Sequence, residues 1–186
     1  MKRFLLTLAL AATASAAPYE VDPVHSTVLF KIQHLGTSWV YGRFNDFTGA
    51  IEVDAAKPEA YSLSFEVKVE SIDTANAKRD QHLKSPDFFN AKEFPVIAFK
   101  STKVTASGKD AADVTGDLTL HGVTKPVTAK VVKVGEGKHP KSGAEMAGFE
   151  ATFVIKRSDF GMSNMVGPAG AGDEVFLTVA VEAHKK

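Results

Sequence analysis

The segment YSLSFEVKVE, at residues 61–70, alternates apolar and polar side chains without interruption. Its odd-numbered positions hold tyrosine, leucine, phenylalanine and valine, and its even-numbered positions hold serine, glutamate and lysine. A period of two over ten residues predicts a β-strand that buries one face and exposes the other. Residues 28–34 alternate in a similar way, which predicts a second strand of this type nearer the beginning of the chain.

Further strands are predicted along the rest of the chain. They fall at residues 39–53 (with a break near Asn45 and Asp46), 96–104, 114–120, 127–134, 149–156 and 175–183. Turn-forming residues separate them, for example at residues 107–109, 121–122 and 135–137. About eight strands joined by short turns favour an all-β fold in which an antiparallel sheet closes into a barrel.

One stretch between Asp73 and Asn90 departs from this pattern. Asp73 or Thr74 is expected to cap a short helix, and Ser85-Pro86 is expected to open a further turn. We therefore expect a short helical segment near residues 74–90 that covers one mouth of the barrel.

The composition limits the classes of protein to which the chain can belong. Of its 186 residues, 44% are hydrophobic and 24% are charged, which is typical of a folded domain rather than a disordered tail. The 22 basic and 22 acidic residues balance, which argues against nucleic acid as the main partner. The absence of cysteine excludes disulfides, thiol catalysis and thiolate metal sites. The 13 phenylalanines, against three tyrosines and one tryptophan, indicate much aromatic surface that has no polar group and must be buried.

The first 16 residues have the features of an export signal. Lys2 and Arg3 precede an apolar stretch at residues 4–14, and Ala14-Ser15-Ala16 supplies small residues at the positions that a signal peptidase reads. We expect cleavage after Ala16 and a single mature domain at residues 17–186. An anchor that is never cut is the alternative, and it is disfavoured because a membrane span requires about 20 apolar residues.

Ten short strings, taken in order, carry a resemblance that alternation alone does not supply. They are VDPVHS (21–26), FKIQHLG (30–36), GRF (42–44), FTG (47–49), SIDT (71–74), RDQHLKSPDFF (79–89), FP (94–95), FKS (99–101), GDLTLHGVT (116–124) and RSDFGM (157–162). Over residues 20–183 the chain resembles the YceI-like family of bacterial periplasmic polyisoprenoid-binding proteins. The strings at 79–89 and 157–162 are the most specific part of the resemblance.

The resemblance implies a lipocalin-like, eight-stranded barrel with a long apolar tunnel. It implies a periplasmic, non-enzymatic carrier or reservoir that holds an isoprenoid lipid, such as an isoprenoid quinone or a polyprenyl phosphate. No cofactor is expected other than this bound lipid. The implied partners are a second copy of the chain, as a homodimer, and the membrane surface in transient contact.

Candidate ligand-binding residues follow from the predicted strand faces and from the resemblance. Phe30, Phe65, Phe149 and Phe153 fall on the apolar faces of their strands and are expected to point inward, as is His34. With the family strings, twelve residues are expected to contact the ligand: Phe30, His34, Phe44, Phe65, Arg79, His82, Phe88, Phe89, Phe99, Phe153, Phe160 and Met162.

Structural roles compete with binding at several of these positions. The phenylalanines could pack a solid core, and His34 could be a hydrogen-bonded core residue. Arg79, Asp80 and His82 could pair with one another at strand ends. Arg157 and Asp159 could likewise form a structural ion pair beside a tight turn at Gly161.

Catalysis and metal binding receive little support from the sequence. The six histidines show no pair at a short ligand spacing, and the common hydrolase, zinc-protease and phosphate-loop motifs are absent. Asp80 and His82 could form part of a hydrolytic dyad, which keeps a hydrolase or isomerase acting on an amphiphile as an alternative. A scavenger of fatty amides or other apolar molecules is a third interpretation.

Overall fold

The computed structural model describes residues 17–53 and 61–186, so the export signal expected at residues 1–16 lies outside the described part of the chain. Ten strands and one α-helix occur within those ranges. In chain order they are β1 (Ala17–His34), β2 (Ser38–Phe44), β3 (Phe47–Val53), β4 (Ser62–Lys68), β5 (Ile72–Asp73), α1 (Ala77–Lys84), β6 (Val96–Ala106), β7 (Ala111–Leu120), β8 (Val123–Lys138), β9 (Glu145–Lys156) and β10 (Ala171–Lys185). Two short 3₁₀ helices lie at Val69–Ser71 and Arg157–Phe160.

These ten strands form eight continuous sides of a closed antiparallel barrel, which confirms the predicted fold. β2 and β3 act as one bent strand, because β1 pairs with β3 near its start (Tyr19 opposite Ile51) and with β2 near its end (Phe30 opposite Gly42). β4 and β5 make a second bent strand, which pairs with β3 and then with β2. The barrel closes where β10 pairs with β1 along most of its length.

The alternation at residues 61–70 builds β4 as expected. Leu63, Phe65 and Val67 face the interior, whereas Ser64, Glu66 and Lys68 are exposed. The strand ends earlier than the pattern does, because the chain turns into a 3₁₀ helix at Val69, which is 1% exposed.

Several strands extend beyond their predicted bounds, and two of these differences coincide with a break in the strand register. β8 continues through residues 135–137, which were expected to form a turn, and the turn follows at residues 139–144. A register shift between Lys133 and Gly135 leaves Val134 without a partner, and beyond it Gly135 and Gly137 pair with Gly148 and Met146 of β9. β1 also begins eleven residues before the predicted start at Val28, with a second register shift between Asp22 and Thr27.

The helix α1 lies where the sequence places it, but its cap differs from the prediction. Asn76 caps it, accepting a hydrogen bond on its side chain from the Arg79 backbone N–H at 3.0 Å. Asp73 instead accepts from the Ala75 N–H at 2.8 Å, and Ala75 turns the chain at a φ of 58°. The cap is therefore displaced to the first residue after this turn.

The connections at one end of the barrel define its mouth. They are the β1–β2 turn (residues 35–37), the segment that contains α1 (74–95), the β7–β8 turn (121–122) and the β9–β10 loop (157–170). Two clusters of buried side chains fill the barrel, one around Val28, Phe44 and Val67 and one around Leu118, Ile155 and Phe160. Among the described residues, no helix is both long and apolar enough to span a bilayer.

Candidate functional site

The barrel encloses an inner cavity of ≈ 140 Å³, whose wall is almost wholly apolar. Every side of the barrel contributes to it, because alternate residues of each strand point inward. Ser64 is the one residue with a polar side chain among those that line it in the described part of the chain. An apolar cavity of roughly this size stays dry and accepts a molecule such as benzene.

A larger outer cavity of ≈ 280 Å³ lies between the inner cavity and the mouth. Its wall is also mainly apolar, and its polar groups are Gln33, His34, Thr74, Arg79, His82 and Arg157. No Asp or Glu occurs among the described residues that line it. The polar residues that line this cavity are therefore neutral or basic.

The two cavities adjoin. Phe44, Ile97, Leu118 and Leu177 line both of them and form the constriction between them. Phe44 packs against Phe30 with ring centroids 5.7 Å apart and is 5% exposed, which holds its ring in place. We call the two adjoining cavities together the passage and the four residues between them its waist; the basic residues of the lining all belong to the outer cavity.

Eleven of the twelve predicted ligand-binding residues line this passage. Phe65, Phe99 and Phe153 line the inner cavity, and Phe44 lines both cavities. The outer cavity takes the rest: Phe30, His34, Arg79, His82, Phe88, Phe89 and Met162. Phe149, also predicted to point inward, lines the inner cavity. Their role in binding remains a prediction.

Phe160 lies apart from the passage. It is 2% exposed, packs in the cluster around Leu118 and Ile155, and borders a shallow outer groove beside Lys125 and Asp159. Its carbonyl oxygen lies 3.1 Å from Nδ1 of His121, so the residue ties the β9–β10 loop to the β7–β8 turn.

Not all phenylalanines serve the passage. Phe47 stacks on Phe65 inside the core at a centroid distance of 5.6 Å. Phe94 packs against His121, and Phe176 lies on the outer face against Trp39. Some phenylalanines therefore line the cavities, whereas others pack in the core or on the outer face of the barrel.

The charged residues of α1 do not pair with one another, contrary to one of the structural roles considered above. Thr74, which is 5% exposed, links Arg79 to Asp80. Its hydroxyl donates to Oδ1 of Asp80 at 2.5 Å and accepts from Nε of Arg79 at 2.7 Å, while its carbonyl oxygen accepts from Nη2 of Arg79. This network fixes the guanidinium of Arg79 at the wall of the outer cavity.

His82 has a different partner from Asp80. Its Nε2 lies 2.9 Å from Oδ2 of Asp87, and its ring packs edge to face on Phe88 at a centroid distance of 5.0 Å. Because Asp80 is held by Thr74, the geometry of an Asp80–His82 dyad is not formed. His34 is exposed at the rim of the outer cavity rather than buried as a core residue.

Arg157 is buried beneath the mouth, and the expected ion pair with Asp159 is wrong. Its guanidinium donates to four backbone carbonyl oxygens: those of Met162 (2.7 Å), Asn164 (2.8 Å), Gly172 (2.9 Å) and Ala171 (3.2 Å). Asp159 instead lies 3.5 Å from Nζ of Lys125. The β9–β10 loop folds back over Arg157, and this brings its carbonyls within reach of the guanidinium.

Asp173 adds a charge to this arrangement. Burial lowers the pKa of Arg157, and the charge of Asp173 opposes that shift. Burial likewise acts to raise the pKa of Asp173, but hydrogen bonds from the backbone N–H (2.9 Å) and the hydroxyl (2.8 Å) of Ser158 outweigh it, so the pKa is lowered overall. Gly161 ends the adjoining 3₁₀ helix at a φ of 79°, as the predicted turn requires.

A cluster of groups able to ligate a metal lies at the opposite end of the barrel, where the sequence did not predict one. Asp22, Glu182 and His184 bring ligand atoms within 4.8 Å of one another. Each of them already has a hydrogen-bond partner, since His184 contacts Glu182 at 2.8 Å and Asp22 contacts His25, which lies outside the cluster, at 2.6 Å. The Asp22–His25 contact lowers the pKa of Asp22 and raises that of His25. The pairing of β1 with β10 creates the cluster, so no local spacing reveals it.

Several lining residues were absent from the sequence prediction. They include Thr74 and Leu83 near α1, and Ile97, Leu118 and Leu177 at the waist. Ile97, Leu118 and Leu177 carry a usable signal, since each occupies an inward position of an alternating strand. Thr74 carries none, because its role depends on contacts with α1.

Comparison with known proteins agrees with this architecture. The model of the YceI-like domain matches residues 19–183. A UPF0312 protein of Azotobacter vinelandii is 45% identical over 190 residues, spanning 98% of this chain and 97% of its own. The crystal structure of the Campylobacter jejuni YceI protein superposes with a TM-score of 0.74 at 30% identity, covering 100% of this chain and 99% of that one.

A more distant fold match is a domain from Saccharophagus degradans, described as a polyisoprenoid binding domain implicated in plant cell wall breakdown. It has a TM-score of 0.69 at 15% identity and covers 90% of this chain and 98% of its own. At that identity the likeness concerns the fold alone. The match to the domain model covers most of the chain, and the near relatives span almost all of it. The chain belongs to the YceI-like family.

Proposed function

We propose that this protein is a carrier or reservoir for an isoprenoid lipid, which it holds in the barrel interior. The single observation that carries the proposal is the pair of adjoining apolar cavities inside the barrel, with the basic residues of their lining confined to the outer cavity. A long apolar tail with one polar end has the same distribution of polarity. The polyisoprenoid-binding description of the Saccharophagus degradans domain, which shares the fold, supports the ligand class.

The tail would lie against the phenylalanine side chains that line the two cavities. Each CH₂ group that leaves water for such a wall contributes about 0.8 kcal/mol, so a tail of several isoprenoid units supplies most of the binding free energy. The inner cavity alone accommodates little more than one such unit. A longer tail must therefore pass the waist at Phe44 and occupy both cavities.

The headgroup would lie at the mouth, beside His34, Arg79 and His82. An arginine has five N–H donors, and Arg79 uses two of them on Thr74, so others can donate to a ligand. Arg157 offers much less, since four of its hydrogen bonds go to backbone carbonyls. This arrangement suits a headgroup with acceptor oxygens, as in an isoprenoid quinone or a polyprenyl phosphate.

Loading requires no chemistry, because the lipid exchanges one apolar environment for another. The proposed setting is the bacterial periplasm, reached through the export signal at residues 1–16, with transient contact at the membrane surface. In this setting the protein moves or stores the lipid and does not transform it.

The proposal is tested by binding of matched ligands to protein that has been stripped of lipid. We expect a long-tailed isoprenoid quinone and a polyprenyl phosphate to bind, and a quinone without a tail to bind far more weakly. A fatty amide of equal length serves as the competitor that separates an isoprenoid carrier from a general scavenger. Equal affinity for the tailed and the tailless quinone would contradict the proposal.

A further inference from the structure

We infer that one side of the barrel mouth docks on the surface of a phospholipid bilayer, and that the ligand enters from the membrane across this side. The surface consists of residues 34–38, which contain the β1–β2 turn, and residues 163–170, which form the second part of the β9–β10 loop; we call this surface the lip. This inference rests on the proposed function, because it names the partner from which the passage is filled.

The lip carries no acidic residue, lysine or arginine, and it projects three apolar side chains. Two stretches, residues 32–42 and 160–172, contain no Asp, Glu, Lys or Arg, although 24% of the chain is charged. Within them, Leu35 is 46% exposed, Met165 57% and Val166 40%. A bilayer surface accepts uncharged loops with projecting apolar side chains, because those side chains transfer into the acyl region without a desolvated charge.

Backbone hydrogen bonds fix the conformation of the lip. Leu35 donates its backbone N–H to the carbonyl of Gly170 at 2.8 Å, which joins the two loops. Ala171 donates to the carbonyl of Met165 at 2.9 Å, and a Cβ at Gly170 would collide with that same carbonyl oxygen. The loop therefore requires glycine at 170 in order to present Met165 outward.

Leu35 and Met165 occupy backbone conformations that normally favour glycine. Their φ angles are 52° and 55°, and both side chains are large and apolar. A non-glycine residue there has a steric cost, and glycine would relieve it. Large apolar side chains that occupy such unfavourable backbone positions and are exposed to solvent indicate that this surface contacts a partner.

The lip is continuous with the passage. Leu35 and Met165 also line the outer cavity, so the apolar wall extends from the interior onto the exposed rim. Beside the lip, Trp39 is 44% exposed, with the ammonium of Lys31 at 4.7 Å from its ring. Tryptophan and lysine are the residues typically found at the boundary between lipid and water.

The opposite end of the barrel differs in charge. Its described turns, at residues 107–110 and 138–145, carry Lys109, Asp110, Lys138, Lys141 and Glu145. Two exposed valines, Val132 and Val134, lie on β8, whose C-terminal end leads into the second of these turns. Apolar exposure therefore occurs at both ends, but an uncharged, cavity-linked surface occurs only at the lip within the part of the chain described.

The test measures binding to vesicles of phosphatidylethanolamine and phosphatidylglycerol that contain no isoprenoid. The variant carries Leu35→Gly with Met165→Gly, which removes both side chains while relieving the positive φ, so the fold should persist. The matched control carries Val132→Ser with Val134→Ser, which also removes two exposed apolar side chains. Isoprenoid binding from detergent solution is measured on all three proteins.

We expect the lip variant to lose about tenfold or more in vesicle affinity, because two apolar side chains no longer leave water, while the control binds like the wild type. Some loss of isoprenoid binding from detergent is expected in the lip variant as well, because Leu35 and Met165 also line the outer cavity, so the vesicle measurement, made without isoprenoid, decides the docking surface. The inference would be overturned if the wild-type protein did not bind the vesicles, or if all three proteins bound them equally well. Failure of every protein to bind isoprenoid from detergent would instead refute the proposed function, and the vesicle result would still decide the docking surface.

Discussion

The ring of Phe44 meets the ring of Phe89 edge to face, with the two centroids 5.8 Å apart. Phe44 borders both cavities, whereas Phe89 borders only the outer one. Phe89 lies just after α1, so the contact connects the segment that covers the mouth to the waist of the passage. A tail that reaches the inner cavity must therefore pass a ring whose position depends on the cover of the mouth.

The length of tail that the barrel accepts should depend on the inner cavity. Ala151 lines that cavity, and Ala151→Phe would fill a volume of roughly one isoprenoid unit there. We expect the preferred tail to shorten by about that amount, measured as affinity for quinones of increasing tail length. Thr152→Phe, on the exposed neighbour, is the control and should leave the profile unchanged. The same profile in Ala151→Phe and the wild type would refute the placement of the tail.

The hydroxyl of Thr74 should matter more than its shape. Thr74→Val keeps the volume but removes the hydroxyl that joins Arg79 to Asp80, so that Asp80 retains only the backbone N–H of residue 74 and Nε of Arg79 loses its partner. We expect a loss of about 1–2 kcal/mol in the free energy of unfolding, together with weaker binding of the polar headgroup. Thr74→Ser retains the hydroxyl and should recover most of both. If Thr74→Val and Thr74→Ser have the same free energy of unfolding in denaturant and bind the ligand equally well, the hydroxyl does not stabilise the protein or support headgroup binding.

Arg157 should be among the most sensitive positions for stability. Lysine has one ammonium group and cannot reach four carbonyl oxygens, so Arg157→Lys should cost at least about 2 kcal/mol in the free energy of unfolding. Arg43→Lys is the matched control, because Arg43 is exposed and lies 3.6 Å from Asp73 in a surface ion pair. That change should cost no more than about 0.5 kcal/mol. Equal losses in urea unfolding would show that the carbonyl contacts do not stabilise the loop.

Stability should fall in acid partly through Asp173. Its pKa in the folded protein lies below the ordinary value of 3.8, so its contribution is present above that value and is lost as the pH falls through the lowered pKa. Asp173→Asn should therefore be less stable than the wild type at neutral pH, and the difference should narrow in acid. Ser158→Ala removes one of the two donors and should keep part of the pH dependence. A difference that stays constant with pH would exclude this role for the carboxylate.

The barrel could be predicted because its strands alternate. One inward face per strand is enough to place Phe30, Phe65 and Phe153 in the interior, and a break near Asn45 is enough to bend one strand into β2 and β3. The first part of β1 escaped prediction because Pro18 and the bulge after Asp22 interrupt its alternation. The end of β8 escaped because glycine in a strand has the same local signature as glycine in a turn.

The polar contacts of the site could not be predicted in the same way. Arg157 and Asp159 are two residues apart, yet one is buried among backbone carbonyls and the other pairs with Lys125 on the surface. The burial of Arg157 depends on how the β9–β10 loop folds back over it. The groups that bind Arg157 are backbone carbonyls, which every residue type has, so the sequence does not reveal them. Similarly, Asp22 becomes a neighbour of Glu182 and His184 only when β10 closes the barrel on β1.

The most direct test of the central claim is to identify the lipid that the protein holds when it is isolated from the cells that produce it. The chain would be purified from the bacterial periplasm without detergent, extracted with organic solvent, and analysed by mass spectrometry. We predict an isoprenoid lipid in near-stoichiometric amount, with a tail that shortens in Ala151→Phe. Repeated recovery of an empty barrel that also takes up no added isoprenoid quinone or polyprenyl phosphate would contradict the account.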